Sequence, residues 1–177
     1  MSHSLVNSAD YLAVMLHPVS RKRVMARAVK AAKTLPEFDT VVFTGNSGAL
    51  FGPELAGRLG KQMLLVNKPG VSRHCSMAVE GAVNIGRWVF ADDLISSGDT
   101  FFTVRRAVAE WRSGAVFVGA VLYSGYTDGQ ANPVGRNLVD HVGRIGPAGS
   151  EYWVPVAYSF LGSRVTYWEA RDQVFSW

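Results

Sequence analysis

Short apolar runs alternate with stretches of helical periodicity along most of this chain. The strand-like runs are 40–43, 63–66, 87–91 and 115–122, and the helical patterns are 20–35, 49–59 and 100–112. Continuous apolar runs of this length are typical of strands buried on both faces of a sheet. The alternation therefore predicts an α/β fold, in which a three-layer parallel sheet has flanking helices and right-handed crossovers. A further short strand is expected at 77–79.

The chain length favours a single domain. The 177 residues are 48% hydrophobic, enough to bury a substantial core. We expect one domain over 1–177, with its core at about 38–122. The remainder, 123–177, is punctuated by Gly and Pro and holds ten of the twenty aromatic residues. It is predicted to form an irregular aromatic-rich hood or subdomain, which either packs on itself or an oligomer partner, or stacks on a flat ligand.

Two features bear on location. No apolar run reaches about 18 residues, and the first residues lack the apolar segment of a signal peptide. The single cysteine, Cys75, cannot form an internal disulfide. Together they predict a protein of the reducing cytoplasm without a membrane span.

The positive charge is confined to one segment. The net charge is +4. Residues 1–36 contain six Lys or Arg and one Asp, so this segment carries +5 and the rest of the chain carries −1. Two interpretations stay open: a solvated amphipathic helix, or a helical surface that contacts nucleic acid.

Two acids and a hydroxyl-rich loop follow the third strand. Asp92 and Asp93 come directly after this strand, and a Ser/Gly/Thr loop then leads into a helix. Backbone N–H groups at such a helix start bind anions, and Ser96, Ser97 and Thr100 add hydroxyl donors. Carboxylates accept hydrogen bonds from ribose hydroxyls and also bind Mg²⁺. The stretch therefore predicts a site for a sugar phosphate, with ribose 5-phosphate as the simplest candidate.

Residues 89–100 closely resemble the phosphoribosyl-diphosphate (PRPP) motif of the type I phosphoribosyltransferases, in which two acids precede a Thr/Ser-Gly-x-Thr loop. The resemblance implies that Asp92 and Asp93 contact the ribose hydroxyls and hold Mg²⁺. It also implies that the 5-phosphate is bound by Ile95, Ser96, Ser97, Gly98, Asp99 and Thr100.

The resemblance extends upstream, to cover about 38–122. Residues 44–56 look like the diphosphate-binding loop and helix of adenine-type enzymes, which implies diphosphate binding by Thr44, Gly45, Asn46, Ser47 and Gly48. Residues 66–70 resemble the strand end that opens the mobile catalytic loop of the family. Residues 80–86 look more like the orotate-type pattern at the far end of that loop.

The family chemistry is transfer of the 5-phosphoribosyl group from PRPP to a purine or pyrimidine base, with release of diphosphate and dependence on Mg²⁺. By resemblance, Lys68 and Arg73 are candidates to stabilise the departing diphosphate. Glu80 is a candidate base or a residue that holds the loop, and His74 is a candidate proton carrier. A homodimer is also implied.

This chain departs from the family pattern in its charges. Asn46 and Ser47 stand where the family often has Arg or Lys, and few cations lie between Lys68 and Glu80. Ser96 stands where hypoxanthine–guanine enzymes keep an aspartate, which argues against that specificity. An alternative is therefore a non-catalytic regulator that binds PRPP or a nucleotide on the same fold and contacts nucleic acid. The acceptor base stays open.

Overall fold

The computed structural model describes residues 10–68, 77–94, 99–123 and 156–158. The helices are α1 (Asp10–Leu16), α2 (Pro18–Ala32), α3 (Gly45–Leu59) and α4 (Asp99–Trp111). The strands are β1 (Thr40–Thr44), β2 (Gln62–Val66), β3 (Val79–Gly81), β4 (Arg87–Asp92), β5 (Val116–Leu122) and β6 (Val156–Tyr158).

The described strands form one sheet in the order β3-β2-β1-β4-β5-β6. All neighbouring pairs are parallel except β3, which pairs with β2 in the antiparallel direction. The prediction of a parallel sheet is confirmed, with this edge strand as the exception. The strand expected at 77–79 begins two residues later, at Val79, where the antiparallel pairing with Val66 of β2 starts.

Helices cover both faces of the sheet, as a three-layer fold requires. Along β1, Val41 and Phe43 pack in a core with α1, α2 and α3. The intervening Val42 packs in a second core with α4, around Phe90 and Phe101. Because successive side chains of a strand point to opposite faces, the continuous apolar run of β1 supplies both cores.

Helix α3 begins at Gly45 and not at residue 49, so residues 45–48, which precede the predicted helix, form its first turn. Two glycines of this helix, Gly48 and Gly52, allow it to pack closely on β1. A Cβ at Gly52 would lie 2.5 Å from the ring of Phe43, and one at Gly48 would lie 3.2 Å from the Phe43 Cβ. Strand β1 therefore passes directly into α3, without a loop between them.

The basic N-terminal helix, α2, is shifted from the predicted 20–35. It begins at Pro18, a residue favoured in the first helical turn because its missing N–H would have no partner there, and it ends at Ala32. His17 occupies the N-cap position, without a capping hydrogen bond from its side chain. Helix α1 precedes α2 and was not predicted.

The C-terminal segment contributes to the core sheet. Strand β6 pairs in parallel with β5, and Tyr123 is buried with its ring 4.9 Å from that of Phe51. Tyr123 therefore belongs to the core and not to a hood. The predicted hood otherwise lies at 124–155 and 159–177, outside the described residues, and the single-domain organisation stays a prediction. None of the helices in the described ranges is long and apolar enough to cross a membrane.

Candidate active site

The central strands β1 and β4 are neighbours, and the chain leaves their carboxyl ends in opposite directions along the sheet. From β1 the chain continues to β2 on one side, and from β4 it continues to β5 on the other. In open α/β sheets, ligands bind in the crevice at such a switch point, outside the carboxyl ends of the strands. Thr44 and Asp92 end these two strands, one residue beyond the paired positions Phe43 and Ala91.

Asp92 is buried at this switch point, with 5% of its surface exposed. Its Oδ1 accepts hydrogen bonds from the Ser47 hydroxyl at 2.6 Å and from the Asp93 N–H at 2.9 Å. The Asp92 carbonyl also accepts a hydrogen bond from the Tyr123 N–H at 3.2 Å. The first of these contacts joins the two segments that carry the family resemblance, the start of α3 and the end of β4.

The environment of Asp92 favours its neutral form. Burial raises the pKa of Asp92 to about 7, and the adjacent Asp93 carboxylate acts in the same direction, while the hydrogen bond from Ser47 opposes the rise. A ligand that brings positive charge would favour the ionised form. A carboxyl group perturbed in this way within a crevice is a candidate functional residue.

The start of α3 presents positive charge to the same edge. Thr44 is the N-cap residue, but its hydroxyl donates to the Val66 carbonyl at 2.6 Å and does not cap the helix. Lys68 lies over Gly45, since a Cβ at that position would be 3.2 Å from the Lys68 Cε and 3.3 Å from its Nζ. Gly45 has φ 63°, which a glycine adopts without strain. A helix N-terminus beside an ammonium group is suited to binding an anion.

Asn67 is a site residue that sequence reasoning missed. Its Nδ2 donates to Glu80 Oε1 at 2.7 Å and to the Met77 carbonyl at 3.1 Å, and its backbone N–H donates to the Ala78 carbonyl at 2.9 Å. These bonds join the two ends of the 69–76 segment. The contact of Glu80 with Asn67 fits the loop-holding alternative for Glu80. An Asn at a strand end, where its side chain can bond nearby backbone, was the available signal.

The described candidates lie at or near one edge of the sheet. They are Thr44, Gly45, Asn46, Ser47, Gly48, Lys68, Asp92 and Asp93, with Asp99 and Thr100 in the first turn of α4. The Ser47 hydroxyl donates a hydrogen bond to Asp92, and Gly48 packs against Phe43. Both residues therefore have structural contacts besides the predicted diphosphate binding. The remaining candidates lie outside the described residues: Arg73, His74, Ile95, Ser96, Ser97 and Gly98.

The acids of the site fit a metal that arrives with a substrate. In the part of the chain that the structure describes, no three His, Cys, Asp or Glu side chains come together as a metal site. Mg²⁺ commonly takes only one or two protein carboxylates and completes its shell with water and substrate phosphates. The Asp92–Asp93 pair therefore fits Mg²⁺ bound together with a phosphorylated ligand.

Comparison with characterised proteins identifies relatives in sequence. The chain is 34% identical over 108 residues to an adenine phosphoribosyltransferase of Bifidobacterium longum subsp. infantis, a match that covers 51% of this chain and 55% of that protein. The chain thus spans about half the length of this curated relative. No family model matches the chain.

Solved structures share the fold. An adenine phosphoribosyltransferase of Thermoanaerobacter pseudethanolicus superposes with a TM-score of 0.52 at 22% identity, covering 67% of this chain and 75% of its own. An orotate phosphoribosyltransferase of Aeropyrum pernix gives a TM-score of 0.52 at 20% identity, covering 65% and 64%. The similarity predicted from the sequence motifs is therefore confirmed, in fold by these structures and in sequence by the curated relative.

Proposed function

We propose that this chain, a relative of the type I phosphoribosyltransferases, transfers the 5-phosphoribosyl group from PRPP to a nucleobase and releases diphosphate. The hydrogen bond between Ser47 and Asp92 is the observation that carries the proposal. This bond places the Asp92–Asp93 pair next to the first turn of α3. The Lys68 side chain lies beside the same turn, at Gly45. The site can thus bind the hydroxyls and the phosphates of one ligand at adjacent positions.

The positive part of the site acts on the leaving group. As the bond between the ribose C1 and the diphosphate oxygen breaks, negative charge develops on the diphosphate. The N–H groups of the first turn of α3 are fixed donors for that charge, and fixed donors stabilise a transition state without reorganising. The nearby Lys68 ammonium adds positive charge beside them. Arg73, in the segment that follows Lys68, is proposed as a second cation at this position.

The acidic part of the site acts on the ribose. Asp92 and Asp93 accept hydrogen bonds from the ring hydroxyls and so orient the C1 atom toward the base. Their negative charge also favours the cationic ribosyl group that forms as the bond breaks. The same pair is proposed to hold Mg²⁺, which when bound neutralises the diphosphate.

The remaining roles follow the order of the chain. Residues 95–100 are proposed to bind the 5-phosphate, with Asp99 and Thr100 at the start of α4 contributing backbone donors. Glu80 is proposed to position the 69–76 segment through Asn67 and not to transfer a proton.

Adenine is the first acceptor to test, because the curated relative carries that name. A homodimer and a cytoplasmic location stay predictions. Light scattering on the purified chain tests the first, and a fluorescent fusion tests the second.

A diphosphate-release assay with PRPP, Mg²⁺ and each of adenine, hypoxanthine, guanine, orotate and uracil tests the function. We expect release with one base, and loss of release in the Asp92→Asn/Asp93→Asn variant. Thermal stabilisation by PRPP without release for any base would support the non-catalytic regulator. The absence of both stabilisation and release would contradict the proposal.

A further inference from the structure

The exposed face of α2 carries four cations that have no acidic partner among the residues the structure describes. Lys22, Arg23, Lys30 and Lys33, the last at the C-cap, are all exposed. At 100° per residue, they fall within an arc of about 100° of the helix surface, over a length of about 16 Å. The residues of the opposite arc are buried in the core: Val24, Met25, Ala28, Ala31 and Ala32. The core therefore fixes the helix with its cationic face outward.

Within the described ranges, no acid forms an ion pair with this face. Helix α2 contains no Asp or Glu. The acid Glu54 on α3 contacts Arg21 at 3.7 Å and Arg58 at 2.6 Å. Arg21 is thus engaged. Cations at spacings such as 30 and 33 repel each other and lower helix stability when no acid intervenes, so an anionic ligand would be favoured here.

The composition of the face indicates what kind of anion it fits. A protein–protein interface has an apolar centre depleted in Lys, whereas this face is dominated by cations, with Val19 as the large apolar residue at its start, 56% exposed. A membrane-surface helix needs an apolar face to insert, and the apolar face of α2 is buried. A row of about 16 Å of cations spans roughly five phosphates along one nucleic-acid strand.

We propose that the outer face of α2, defined by Lys22, Arg23, Lys30 and Lys33, binds the phosphate backbone of nucleic acid without regard to sequence. This interaction is separate from phosphoribosyl transfer, because none of the four residues is a candidate for the active site. Its affinity is dominated by release of counterions and therefore falls steeply with salt.

Fluorescence anisotropy with a labelled 20-base-pair DNA of arbitrary sequence, from 50 to 200 mM NaCl, measures the effect. Four contacts predict a slope of log K against log salt of about −3 to −4, a loss of roughly a hundredfold across this range. The Lys22→Gln/Arg23→Gln/Lys30→Gln/Lys33→Gln variant should bring the slope close to zero. Its circular dichroism should match the wild type, since all four sites are exposed.

A matched pair of double variants distinguishes binding at this face from a nonspecific effect of the protein's total charge. Lys30→Gln/Lys33→Gln should make the slope shallower by about 2. Arg106→Gln/Arg112→Gln removes the same charge from exposed residues on and just after α4, on the other side of the sheet, and should leave the slope unchanged. Equal slopes for the two double variants would overturn the proposal.

Two further probes distinguish the anion. Vesicles containing 30% anionic phospholipid, and poly-glutamate at equal charge concentration, should bind at least tenfold more weakly than the DNA. Binding to either that matches the DNA would assign the face to a membrane or an acidic protein and would overturn the proposal. PRPP stabilisation should be the same in wild type and in all the α2 variants, so failure here leaves the proposed enzyme activity untouched.

Discussion

Asp39 and Asp92 lie at opposite ends of the two central strands, β1 and β4, and their carboxylates have different surroundings. Asp39 precedes β1 and accepts hydrogen bonds from the Thr40 hydroxyl at 2.6 Å and from the N–H groups of Gly86 at 3.2 Å and Arg87 at 2.7 Å. Asp92 ends β4 and accepts from Ser47 and the Asp93 N–H on one of its oxygens.

The two acids respond in opposite directions. Burial tends to raise the pKa of Asp39, but the hydrogen bonds from Thr40, Arg87 and Gly86, together with the charge of Lys61, outweigh burial and lower it. Deeper burial and the neighbouring Asp93 raise the pKa of Asp92 to about 7. Asp39 thus stabilises the fold by joining β1 to β4. Asp92, by contrast, is destabilised when ionised in the free protein, and a cationic or hydroxyl-bearing ligand would stabilise its carboxylate.

The largest expected difference between the two acids is in catalysis. Replacing both acids of the site, as Asp92→Asn/Asp93→Asn, should lower the rate of diphosphate release by about a hundredfold to a thousandfold, because charge and ring orientation are both lost. Asp39→Asn should keep a rate close to that of the wild type, measured at a temperature at which both variants are folded. Equal losses in the two proteins would mean that Asp92 acts through stability alone.

The next largest difference is in the stability of the free protein. Asp92→Asn should raise the free energy of unfolding at pH 8 by on the order of 2 kcal/mol, because the wild type must bury an ionised carboxylate there. The gain should be clearly smaller at pH 5, where only the unfolded chain has released the Asp92 proton, and should vanish below about pH 4, where both states keep it. Urea unfolding at the two pH values measures it.

The direction of this change in the free energy of unfolding with pH follows from proton binding. Between about pH 4 and pH 7 the folded chain keeps a proton on Asp92 that the unfolded chain has released, so stability from this group falls as pH rises. A gain from Asp92→Asn as large at pH 5 as at pH 8 would contradict this account.

Asp39→Asn should act in the opposite direction and lower the free energy of unfolding by about 1–2 kcal/mol at pH 7, since an amide N–H₂ would face backbone donors. Because the pKa of Asp39 is lowered on folding, its stabilisation is present above about pH 4 and is lost as the pH falls through the folded-state value. Glu110→Gln, at an exposed acid of α4, is the matched control and should change stability by less than about 0.5 kcal/mol. Thermal or urea unfolding gives both values.

The smallest predicted effect concerns Ser47. Ser47→Ala removes the hydrogen bond to Asp92 and should raise the KM for PRPP about fivefold, equivalent to about 1 kcal/mol, with a smaller change in kcat. It should also shift the acid limb of the pH–rate profile upward, since that hydrogen bond lowers the pKa of Asp92. Ser47→Thr, which keeps the hydroxyl, should restore both values. An unrestored Thr variant would show that the site depends on the shape of Ser47 and not on its hydroxyl.

The sequence was informative where one local pattern decided the structure. The apolar runs located four strands of the sheet to within one residue at each end, because continuous burial on two faces leaves a clear composition. The acid pair at 92–93 was placed correctly at the end of β4, since strand and motif are contiguous.

The sequence failed where a contact joined distant segments. Gly48 lies before the helix predicted at 49–59 and Gly52 lies inside it, but both serve the close packing of α3 on Phe43, which only the fold reveals. The contacts of Asn67 with Glu80, and of Asp39 with Arg87, depend on strand pairing in the same way. In the sequence Tyr123 is the first of the C-terminal aromatics, but its position just after β5 buries it in the core.

The most direct test of the account is an NMR titration of the Asp92 carboxyl carbon, assigned by comparison with Asp92→Asn. In the free protein its pKa should be near 7, and Mg²⁺ with PRPP should lower it by more than one unit while leaving that of Asp39 unchanged. A pKa for Asp92 near 4 in the free protein, or one that Mg²⁺ and PRPP do not move, would contradict the assignment of Asp92 to the ligand site.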